Sequence, residues 1–129
     1  LHCLDNYSRG LIMVNLIDFD MLFGHRNDPR GYARALEEFD RELPSIISRL
    51  GENDILILAA DHGCDPTTPS TDHSREYVPL LIRGERLRSG VDLGIRSSFA
   101  DLGQTIAEAF QVGPLEVGQS FWDLIAGEA

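Results

Sequence analysis

The 129-residue sequence contains no lysine: all 11 of its basic residues are arginine. A Schiff-base lysine and a P-loop lysine are therefore excluded within this chain. Cysteine is scarce as well, with only Cys3 and Cys64, far apart in sequence. Two isolated thiols in an acidic chain suit a reduced, cytoplasmic protein better than a disulfide scaffold. No apolar run reaches the roughly 18–20 residues of a membrane-spanning helix. The opening stretch LHCLDNYSRG lacks the apolar centre of a signal peptide. It also lacks an initiating methionine, so the chain reads as a piece of something longer. Positive charge is in deficit, with a formal net charge of −10. Nucleic acid is not an expected partner, because phosphate contacts need a basic face.

What is present is ordinary for a globular protein: 43% apolar and 25% charged residues, in a length that suits a single domain over 1–129 with a sizeable core. GLIMVNLID, residues 10–18, reads as a buried strand. FDMLFGHRNDPRG follows as a loop with a short helical turn. Tyr32, Leu36, Phe39, Leu43, Ile46, Ile47 and Leu50 recur at helical spacing and predict a helix over about 31–50. Pro44 should kink or break it, and Gly51 is placed as its C-terminal cap. DILILAA, 54–60, and VPLLIRG, 78–84, read as two more buried strands. Ser98 or Asp101 can cap a helix over about 99–111, with Leu102, Ile106, Ala109 and Phe110 inward. The tail around Phe121 and Trp122 predicts a short helix packed on the core. Continuous apolar strands alternating with helices imply an α/β fold with a sheet covered on both faces.

The chemistry gathers at two strand ends. DFDMLFGH, 18–25, follows the first strand, and DHGCDPTTPSTDH, 61–73, follows the second. In open α/β sheets the carboxyl ends of strands are where ligands bind. Asp20, His25, Asp61, His62 and His73 would then meet in one crevice. Carboxylates about 4 Å apart repel by ~4 kcal/mol at an effective dielectric near 20. Divalent cations remove that cost, and mixed His/Asp ligation suits Zn²⁺ or Mn²⁺ better than Ca²⁺. Two such ions roughly 3.5–4 Å apart could clamp a phosphoryl group. Gly63 relieves crowding where the backbone passes close to a ligand. Asp18, Asp65 and Asp72 are weaker candidates, since Asp65-Pro66 is good turn chemistry and Asp72 can orient a ligating histidine. The loop's Ser and Thr residues have no base assigned to them. Cys64 is a minor candidate for a Zn²⁺ thiolate.

NLIDFDMLFGHRND together with ADHGCDPTTPSTDHSREYVPLLIRG resembles the phosphopentomutase family of the alkaline phosphatase superfamily. LGIRSSFADLGQTIAEAF and GQSFW resemble its C-terminal end, so the likeness runs from Gly10 over nearly the whole chain. The resemblance implies an alkaline-phosphatase-like three-layer α/β/α sandwich, of which this chain holds the later half of the metal-binding core. It implies transfer of a phosphoryl group between the 1- and 5-positions of ribose or deoxyribose, a small sugar phosphate as substrate, two Mn²⁺ ions and a phosphorylated threonine. By motif, Asp20, His25 and His73 would hold one metal, and Asp61 and His62 the other. The threonine, a further aspartate and the sugar-gripping cap of the family find no match here. The chain is accordingly expected to be a C-terminal fragment, inactive alone, binding metal weakly, and inclined to pair with a second copy through an exposed sheet edge. The rival expectations are another phosphatase or a phosphoglycerate mutase of the same superfamily, and a non-catalytic metal-binding scaffold.

Overall fold

The structure is a computed structural model, and it describes residues 1–127. Its tertiary contacts divide the chain into two compact units, Leu1–Ile82 and Arg83–Ala129.

In the first unit, helix α1 spans His2–Asn6, a π-helical segment spans Phe19–Gly24, α2 spans Pro29–Ile47 and strand β1 spans Ile55–Ala59. Strand β2, Leu80–Gly84, is the hydrogen-bonded neighbour of β1 in a two-stranded sheet. The sheet and helices give the expected α/β character. Of a layered sandwich, the described residues supply these two strands.

Helix α2 starts as its sequence demands. Asp28 is the N-cap and its Oδ1 accepts from the Gly31 N–H at 2.9 Å, while Pro29 occupies the first turn, where a missing N–H costs nothing. Gly31 is buried, and a methyl there would overlap Asp28 and the Phe23 ring, so glycine lets the π-helical segment press against α2. The helix runs through Pro44 without the expected break and ends three residues later at Ile47. The end is tightened by Arg49 N–H to Ile46 O and Leu50 N–H to Ile47 O. Gly51 is not the cap; Ser48 is, and the Gly51 N–H donates to Asp54 Oδ2 at 2.8 Å. Leu36 is exposed rather than inward.

The expected strand at 10–18 is not formed. Residues 11–16 run without regular structure, with Met13 88% and Val14 70% exposed. An apolar run becomes a strand only when neighbours take its N–H and C=O groups. Strands β1 and β2 are likewise only half-buried. Among the described residues, the buried apolar side chains are Ala107, Phe121 and Ile125, so the sizeable core expected from chain length is absent from the first unit.

Those three lie in the second unit, where α3, Ala100–Ala109, packs against α4, Trp122–Ile125. Phe121 is fully buried, and its N–H donates to Thr105 Oγ1 at 3.0 Å. Ser98 supports the start of α3 by accepting from the Ala100 N–H. Asp101 does not cap. It is 2% exposed, its Oδ2 pairs with Arg96 at 2.9 Å and its Oδ1 accepts from the Gln119 N–H. Phe110, expected inward, is exposed.

Candidate metal centre

Two chain segments of the first unit build the site. The π-helical segment widens the turn, so that the His25 N–H reaches back to Asp20 O at 2.9 Å and the Asp28 N–H to Phe23 O. Asp20 is thereby turned toward the second segment. Gly24, buried, abuts the Cys64 sulfur so closely that a Cβ there would overlap it. The second segment, 61–74, closes on itself through a Gly63–Ser74 bridge, with the Ser74 N–H to Gly63 O at 3.1 Å and the Asp65 N–H to Ser74 Oγ at 2.8 Å. A Cβ on Gly63 would lie 2.6 Å from Ser74 O. Glycine is required there for the close approach of the 74–76 backbone, not of a ligand as expected from its place beside His62.

His62 and His73 stand one residue ahead of the two bridge partners. Their rings stack at 3.6 Å between centroids, and the His25 ring lies 4.9 Å from that of His73. Asp20 Oδ2 lies 3.3 Å from His25 Nε2, and its Oδ1 lies 3.3 Å from His73 Nε2. Asp61 Oδ1 is 3.7 Å from His62 Nε2, on a side chain that is 80% exposed. The structure thus brings four of the five sequence-derived residues into one cluster, with Asp61 at its rim. Ligand atoms of Asp20, His62 and His73 lie within 4.8 Å of one another. This trio takes Asp20 and His73 from one of the groups implied by motif and His62 from the other, and the His62 and His73 rings stack directly.

The hydrogen bonds fix which ring nitrogens are available. His25 Nδ1 contacts the Thr71 carbonyl and His62 Nδ1 the Gly63 carbonyl. A carbonyl only accepts, so both Nδ1 atoms carry the proton and, in the neutral ring, each Nε2 presents a lone pair. Those lone pairs face carboxylate oxygens. Asp20 Oδ1 is itself buried and receives no hydrogen bond. Acceptors facing acceptors are relieved by positive charge between them, whether a proton on the imidazole or a bound cation. The donor set of imidazole nitrogen and carboxylate oxygen fits a first-row divalent cation, and the carbonyl-held Nδ1 is the usual way a ligating imidazole is oriented.

Cys64 stands beside this cluster without joining it. Burial pushes its thiol above the ordinary range, with the charges of Asp20, Asp65 and Glu76 adding to the rise. Tyr32, tilted against the Phe19 ring, is raised by burial first and then by Cys64 and Asp20. Asp65 is held below the usual carboxylate range by hydrogen bonds from the Thr67 hydroxyl and N–H, which makes it a turn-former. Sequence reading missed Asn27, which donates to the Thr68 carbonyl across the site at 3.1 Å. Its residue type gives a weak signal only, since asparagine is favoured at positive φ and Asn27 adopts φ 49°.

Comparison with known proteins adds the family. The sequence profile of the metalloenzyme superfamily matches residues 2–114. The chain belongs to the metalloenzyme superfamily. Within it, the chain is similar to a phosphopentomutase of Anaeromyxobacter dehalogenans, 67% identical over 92% of this chain and 30% of the relative. It is similar to the phosphopentomutase of Thermotoga petrophila, 67% identical over 89% of this chain and 30% of the relative. A third, from Caldanaerobacter subterraneus subsp. tengcongensis, is 55% identical over 94% of this chain and 31% of its own length. The chain therefore spans about 30% of the length of the curated relatives it matches. Membership of this superfamily bears out metal use. No helix among the described residues is long and apolar enough to cross a membrane.

Proposed function

We propose that this chain forms the metal-binding part of a phosphopentomutase, an isomerase that moves a phosphoryl group between the 1- and 5-positions of ribose or deoxyribose in the cytoplasm. The observation that carries this reading is the convergence of Asp20, His25, His62 and His73 around an oxygen with no hydrogen-bond donor. The likeness to phosphopentomutases supports it. Asp20, His25, Asp61, His62 and His73 are the ligands, and Mn²⁺ is the ion we assign, one at each of two positions in the complete site. Bound there, the cations supply charge that polarises phosphoryl oxygens and offsets the negative charge of the substrate.

The protein's own part is orientation. The carbonyls of Thr71 and Gly63 hold two imidazoles with Nε2 inward, and the Gly63–Ser74 bridge holds the third beside them. None of the chain's threonines is assigned as the nucleophile, which the reading places outside these residues. Self-pairing through apolar surface belongs to the same proposal.

The test uses the protein carrying this chain at its full natural length, with Mn²⁺ and ribose 1-phosphate, followed by ³¹P NMR. Ribose 5-phosphate should form, and His73→Ala should slow its formation well beyond the roughly 10–100-fold that a merely supporting partner costs. Turnover unaltered in a folded His73→Ala variant would indicate a scaffold. Release of inorganic phosphate in place of the isomer would indicate a phosphatase.

A further inference from the structure

Two side chains reach from the end of the π-helical segment to the far loop, and both end on backbone carbonyls. His25 Nδ1 donates to Thr71 O, and Asn27 Nδ2 donates to Thr68 O at 3.1 Å. His25 is a member of the cluster, whereas Asn27 touches none of its ligand atoms in any bond described above. We propose that Asn27 is a positioning residue: it latches the 65–74 loop onto the segment that carries Asp20, and so sets the distance between Asp20 and His73. This rests on the metal-binding reading and adds a residue that the reading does not require.

The geometry supports a latch over a simple stabilising contact. Asn27 is half-buried and sits at φ 49°, with its own N–H donating to Gly24 O at 3.0 Å. Its backbone is thus anchored to the π-helical segment while its amide spans to the loop. Only half of that amide is satisfied, because Asn27 Oδ1 is buried without a partner. An acceptor left unmatched offsets much of what the donor gains, so the side chain is better suited to fixing position than to adding stability. Thr68 is in turn fixed by its own turn, its N–H on Asp65 O and its hydroxyl on the same carbonyl. The loop that Asn27 grips is therefore stiff up to the point of contact, and His73 lies five residues further on.

Because the acceptor is a carbonyl, the donor alone should matter. Asn27→Gly removes the N–H without adding charge and accepts φ above zero without strain; Asn27→Asp keeps the shape, removes the N–H and adds a negative charge, so the glycine variant is the one that isolates the donor. Thr68→Ser keeps both the carbonyl and the hydroxyl. Mn²⁺ titration of the full-length protein, read by the EPR signal of free Mn²⁺, should show both Asn27 variants binding about 10–100-fold more weakly, the range for residues that orient ligands. Thr68→Ser should bind within about threefold of the parent, since its carbonyl and its hydroxyl are both kept. Hydrogen exchange without metal should show faster exchange in 65–74 for the Asn27 variants alone. If His73→Ala abolishes binding while Asn27→Gly and Asn27→Asp bind as the parent does, the latch is overturned and the metal reading stands. If the parent binds no Mn²⁺, both fall. If the Asn27 variants unfold more easily but bind normally per folded molecule, the role is structural and the proposal fails.

Discussion

At the scale of single residues, the two cysteines make a controlled comparison. Cys3 is exposed, while Cys64 is half-buried against Gly24. The thiolate is the reactive form, and burial together with nearby Asp20, Asp65 and Glu76 holds the Cys64 thiol protonated to higher pH than usual. Iodoacetamide at neutral pH should therefore label Cys3 well before Cys64, as mass spectrometry of tryptic peptides would show. Labelling of Cys64 should rise only once the pH exceeds the ordinary thiol range. Equal rates would mean that the π-helical segment does not cover Cys64. The thiol lies outside the trio of Asp20, His62 and His73, so Cys64→Ser should leave the Mn²⁺ stoichiometry unchanged. A reading of the sequence that puts this cysteine next to Asp-His invites a thiolate ligand. Only the position of Gly24 against its sulfur shows where the side chain goes.

At the scale of elements, what was legible followed from local rules. The body of helix α2 falls within the expected 31–50, although it starts at Pro29 behind an Asp28 cap that was not expected, and β1 and β2 fall inside their apolar runs. The meeting of 18–25 with 61–73 was also expected, from the rule that strand ends carry ligands in α/β folds, but only 61–73 follows a formed strand. What was not legible depends on partners distant in sequence. Residues 10–18 have a strand's composition, but among the described residues no strand pairs with them. Asp101 has a capping residue's chemistry, yet it is drawn inward by Arg96 and by the N–H of Gln119, 18 residues away. The Arg96 guanidinium also lies 5.2 Å over the Phe121 ring, which ties the ion pair to the most buried side chain of this unit. Removing one partner of a buried pair leaves an uncompensated charge, so Arg96→Met should cost about 3 kcal/mol of stability. Changing both to apolar residues of like volume should cost much less. Denaturant unfolding of the single and double variants checks this; equal losses would show that the pair is a surface contact.

At the scale of the whole molecule, the distribution of apolar surface is uneven. Leu11, Ile12, Met13, Val14, Leu16 and Ile17 are all exposed, in a run whose backbone lies outside any sheet. Isolated exposed leucines are unremarkable in proteins, but a contiguous apolar stretch marks a surface that something covers. Successive residues of an extended chain point to opposite faces, so cover is needed on both sides as well as along the edge. In this 129-residue chain taken alone, a second copy is the available source of that cover. Each large side chain removed from water contributes about 1.5–3 kcal/mol, enough for a few of them to drive association at micromolar concentrations. Sedimentation velocity should therefore find this chain as dimers or larger species whose proportion rises with concentration. Met13→Glu with Val14→Lys should shift it toward monomer. The change leaves Asp20, His62 and His73 untouched, so Mn²⁺ affinity should hold constant while the mass falls. A parent chain that sediments as a monomer across the micromolar range would mean that residues 11–17 tolerate water, and would remove self-pairing from the proposal.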